Sequence, residues 1–144
     1  MSDLKKHNES LSLFMLANGL LSPPGTLDMN SIQNMIGGIF NAVKSISAKD
    51  DYFATKYFPK GLPNIEGEVA IGCYTVLFLI DHFKDRGSNK DELKNLSIAI
   101  KNSDNLLRSY NELDGMMSDT KNIFDVLKNT ESLNRIKLIK PLMD

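Results

Sequence analysis

The sequence predicts an all-α protein, an irregular single-domain bundle of five to seven helices around a central apolar helix at about 65–86. Three observations carry this. Apolar residues recur at i, i+3, i+4 spacing along most of the chain. The run Val69–Ile80 is apolar nearly all round, the mark of a helix enclosed by others. No pair of alternating apolar segments flanks a turn signal, so no hairpin of strands is expected.

The elements follow in order. Ser2 or Asp3 caps a first helix to about Asn18, with Leu11, Phe14 and Met15 on one face and Gly19 at its end. Ser22-Pro23-Pro24-Gly25 then bars helix continuation. Thr26 or Asp28 caps a second helix over about 28–47, where Met29, Ile32, Met35, Ile36, Ile39, Phe40, Val43 and Ile46 form one stripe. Its opposite face carries Asn34, Gly37, Gly38, Asn41 and Ser45. The two interior glycines cost about 1 kcal/mol each relative to alanine. They suit either a close helix approach, within the fold or in self-association, or a tolerated kink.

A short helix over about 50–57 is stopped by Pro59. Asn64 caps the central helix, which carries Glu66 and Glu68 in its first turn and Lys84, Arg86 and Gly87 at its end, the charge order favoured by the helix dipole. Ser88-Asn89-Lys90-Asp91 reads as a capping box with aspartate in the glutamate position. It opens a helix bearing Leu93, Leu96, Ile100, Leu107 and Tyr110, with a potential break near 102–105 and an end at Gly115. The short connection favours a hairpin with the central helix. Ser118 or Asp119 caps a further helix through Ile123, Phe124 and Leu127, and Leu133, Ile136 and Ile139 predict helical turns before Lys140-Pro141.

Composition narrows function mainly by exclusion. Seventeen basic and eighteen acidic side chains leave a formal charge of -1 over 144 residues, spread evenly along the chain, so long-range attraction to polyanions is weak. Arg135, Lys137 and Lys140 are too few to argue for nucleic acid. The run Val69–Ile80, bounded by Glu68 and Asp81, falls short of the roughly 20 residues a membrane span needs. With a single cysteine, Cys73, no disulfide can form within the chain. Lys5-Lys6 and Leu11–Ala17 imitate the start of a signal peptide, but Asp3, Asn8 and Glu9 argue against export. A cytoplasmic protein is expected.

Catalytic chemistry finds little to work with. His82, between Asp81 and Asp85, is the best general base by residue type. Cys73 lies nine residues earlier on the same predicted helix, and at about 100° per residue the two project roughly 180° apart. No Cys–His dyad follows. Metal-ligand spacings such as paired His at i, i+4 or Cys-x-x-Cys are missing, and Gly37-Gly38 lacks the strand, lysine and Ser/Thr of a phosphate loop. No cofactor or metal is expected.

The remaining candidate is the segment 50–67, where Tyr52, Phe53, Tyr57 and Phe58 alternate with charges before Pro59, Gly61 and Pro63. Aromatic rings on a short, rigid surface element suit the anchoring of another protein, and the same rings equally suit capping the bundle's own core. Tyr57-Phe58-Pro59 followed by Glu66-Gly67 and a helix resembles the tyrosine-tyrosine-proline and glutamate-glycine signature of the DNase-colicin immunity proteins, with Phe58 in place of the second tyrosine. The resemblance is local and implies that Tyr57 and Phe58 contact a protein partner. The expected function is therefore that of a non-enzymatic interaction protein, an inhibitor, immunity-like factor or adaptor. The alternative is an assembly subunit that self-associates through Gly37 and Gly38.

Overall fold

In a computed structural model, the described residues are 27–47, 57–58, 62, 65, 67–118 and 133–143. Among them the chain forms helices α1 (Met29–Ser47), α2 (Gly67–Asp85), α3 (Lys90–Lys101), α4 (Asp104–Ser118) and α5 (Lys140–Met143), with a 3-10 turn at Arg135–Leu138 before α5. The architecture is an all-α bundle. The helices expected over 2–18 and about 119–127 lie outside the described residues, as does the one over 50–57 except at Tyr57.

Helix α1 begins where the sequence places it. The Asp28 carboxylate accepts a hydrogen bond from the Ser31 backbone N–H at 2.8 Å, satisfying a donor left open in the first turn. That bond holds the exposed carboxyl below its usual value. Its stabilising effect is therefore present above pH 3.8 and fades as acid protonates the group. The stripe Ile32, Met35, Ile36, Ile39 and Val43 is buried, with Met29 and Phe40 half-buried beside it. One face drives α1 onto the core.

Helix α2 is enclosed by its neighbours. Ten of its residues, from Gly72 through Phe83, are buried, and it packs most heavily on α4, then on α1, and also on the 3-10 turn. It ends in a Schellman motif. Gly87 takes a φ of +76°, the Ser88 N–H donates to the Phe83 carbonyl and the Gly87 N–H to the Lys84 carbonyl, both at 3.0 Å. A left-handed residue is needed here, and glycine adopts that conformation without a Cβ clash.

The connection that follows differs from the expected capping box by one residue. The cap is Asn89, whose side chain accepts from the Glu92 N–H at 2.8 Å. Glu92 does not complete a local box. Its carboxylate is nearly fully buried and reaches back to α1, accepting from the Leu27 N–H at 3.4 Å while facing Arg86 at 3.7 Å. The α2–α3 turn is thus tied to the entrance of α1. The expected hairpin of α2 with α3 is slight, because α3 packs more on α1, α4 and α5 than on α2.

The potential break near 102–105 is present: Asn102 and Ser103 separate α3 from α4. Gly115 does not end α4, which continues to Ser118. Glycine is tolerated inside a helix when a later side chain is drawn to the core, and Met116 is buried. The C-terminal segment also departs from the expectation that helix would stop before Lys140-Pro141. The 3-10 turn precedes α5, and Pro141 lies in the first turn of α5, where its missing N–H costs no intrahelical bond. In a 3-10 turn residues three apart line up, so Leu133, Ile136 and Ile139 present one row, each fully buried.

Cys73 belongs to this core. Its thiol is buried and lies 3.6 Å from the Ser109 carbonyl, and burial, followed by the charge of Glu112, pushes its pKa up to about 12. The thiol should therefore resist Ellman's reagent in the native protein at neutral pH and react once guanidinium unfolds the chain; rapid native labelling would contradict this placement. Because the folded pKa is raised above the ordinary thiol value of 9.0, this group's contribution to stability is full below pH 9 and declines towards pH 12. Replacing Cys73 by alanine should flatten that alkaline loss.

Candidate functional site

The polar groups singled out for chemistry are gathered at the C-terminal end of α2. His82 follows Asp81 by one residue and precedes Asp85 by three, so all three lie within about one helical turn. The chain brings Arg135 to them from the 3-10 turn. Its guanidinium meets the Asp81 carboxylate at 2.8 Å and the Asp85 carboxylate at 3.6 Å. Asp81 is buried and Asp85 is exposed. The imidazole of His82 stacks on Phe78, with ring centres 6.4 Å apart and planes 8° from parallel, and meets the edge of Phe83.

This arrangement has a structural logic. A carboxylate withdrawn from water needs a counter-charge, and Arg135 supplies it while fixing the C-terminal segment against α2. Lys140 repeats the pattern one turn on, meeting Asp114 of α4 at 3.0 Å. The Leu142 carbonyl faces the Ser97 hydroxyl at 3.4 Å and the Lys101 ammonium at 3.3 Å. Two of the three C-terminal cations are thereby engaged within the chain, and Lys137 is exposed. No group of three or more His, Cys, Asp or Glu able to hold a metal ion occurs among the described residues. None of the described helices is long and apolar enough to cross a membrane.

The rings of Tyr57 and Phe58 are found inside the bundle, 0% and 1% exposed. Phe58 lies against Tyr74 of α2, with ring centres 6.0 Å apart at a tilt of 48°. What these two rings contact is the chain's own core. The reason is one of area, since two aromatic side chains bring more apolar surface than most pairs of residues and gain most where α2 can cover them. Tyr52 and Phe53 lie outside the described residues.

The small-residue face of α1 is, by contrast, turned outward. Asn34, Gly37 and Asn41 are exposed, as are Asn30 and Gln33 beside them, while Gly38 is half-buried. A Cβ built on Gly37 would meet nothing within 4 Å. No neighbour among the described residues therefore requires a glycine there. Gly37→Ala should raise stability by about 1 kcal/mol through helix propensity, which corresponds to about 4 °C in Tm for a domain of this size. Thermal melts by circular dichroism read this directly, and a lowered Tm would show that another group fills the space.

Sequence reasoning missed two contacts. By sequence Arg135 is one of a few scattered cations, and only its seat opposite Asp81 gives it a role. Gly72 is the second such position. Its α-carbon faces Ser109 of α4 so closely that a Cβ would overlap the Ser109 hydroxyl and fall 2.9 Å from its Cβ. A small residue in the middle of an otherwise bulky apolar helix was the signal available for it.

The sequence matches no protein-family profile, and no curated protein or solved structure matches it significantly.

Proposed function

We propose that this chain is a non-enzymatic interaction protein, an inhibitor or adaptor, that presents the outer face of α1 to another protein. The observation that carries the reading is Gly37, an exposed glycine in the interior of a helix, with no close neighbour among the described residues to require it. Such a residue costs the helix about 1 kcal/mol. A cost of this kind is offset where a second backbone must approach closely. Asn34 and Asn41, one turn to either side, add uncharged donors and acceptors able to bond a partner's backbone. The groups that would serve an enzyme best support the same reading through their surroundings, since Asp81 is tied to Arg135 and His82 lies among phenylalanine rings.

A second reading, self-association through Gly37 and Gly38, draws on the same exposed strip. The two differ in whether the approaching helix belongs to another protein or to a second copy. A cytoplasmic location forms part of the proposal and rests on the lone cysteine.

Gly37→Arg tests both readings, because a Cβ at position 37 meets nothing within 4 Å among the described residues and the long side chain beyond it would obstruct a close approach to this face. The expected result is a helical, cooperatively melting variant that no longer captures the protein co-purifying with the wild type from its native host. Unchanged capture would remove the α1 face from the account. Light scattering over a wide concentration range separates the alternatives: a dimer abolished by the substitution supports self-association, and a strict monomer excludes it.

A further inference from the structure

We draw no further inference here: the strongest candidate, the seat of the C-terminal segment against α2 and α3, is filled by this chain's own Leu133, Ile136 and Ile139, and nothing in the structure shows a released segment or another occupant.

Discussion

Gly72→Ala is expected to lower the unfolding free energy by about 1–3 kcal/mol, the usual cost of overpacking a close-packed interior. Elsewhere in a helix the same change would stabilise by up to about 1 kcal/mol, so the sign itself is diagnostic. The cause lies in the α2–α4 contact, the most extensive among the described helices. The added Cβ would overlap the Ser109 hydroxyl, which rotation could relieve, and would also fall 2.9 Å from the Ser109 Cβ, which rotation cannot. That hydroxyl is itself engaged, donating toward the Asn105 carbonyl at 2.8 Å and lying 3.2 Å from the Val69 carbonyl. The helices must therefore move apart or the serine must give up its position.

A double-mutant cycle isolates this effect. Ser109→Gly removes both obstructing atoms, and the nearest remaining atom to the new methyl is then the Asn105 carbonyl oxygen at 3.4 Å. The Gly72→Ala, Ser109→Gly variant should consequently be more stable than the sum of its single changes implies, with a coupling of about 1–3 kcal/mol measured by urea unfolding. Additive effects would mean that the two helices do not meet at this point.

The features that could be read from the sequence are those set by local periodicity and local backbone need. The α1 stripe from Ile32 to Val43, the enclosure of α2 and the glycine stop at Gly87 each depend on residues close together in the chain. Long-range pairings were not legible in the same way. Glu92 sits where a capping glutamate would, and only the arrival of Leu27 and Arg86 draws its carboxylate elsewhere. Arg135 and Asp81 are far apart in sequence, and each alone reads as a solvated charge. Tyr57 and Phe58 fit an anchor and a core cap equally well by residue type, and the position of Tyr74 decides where Phe58 rests. For the α1 outer face, the pattern of small residues was evident but its exposure was not, because that depends on where every other helix packs.

Removal of residues 133–144 is expected to abolish cooperative folding. The deletion takes away Leu133, Ile136 and Ile139, each 0% exposed, and at about 1.5–3 kcal/mol per buried side chain the loss is roughly 5–9 kcal/mol. Whole domains are stable by only about 5–15 kcal/mol. The deletion also takes Arg135 from the buried Asp81 carboxylate and strips apolar cover from α2, so the remaining chain must hydrate both. Retained helical circular dichroism with a broad melt and dye binding to exposed apolar surface would be the expected signature. A graded series keeps the argument open to contradiction: Ile136→Val should cost about 1 kcal/mol and Ile136→Ala about 2–5 kcal/mol, both in a folded protein. If the deletion variant instead unfolds sharply at the wild-type midpoint, the C-terminal row does not belong to the core.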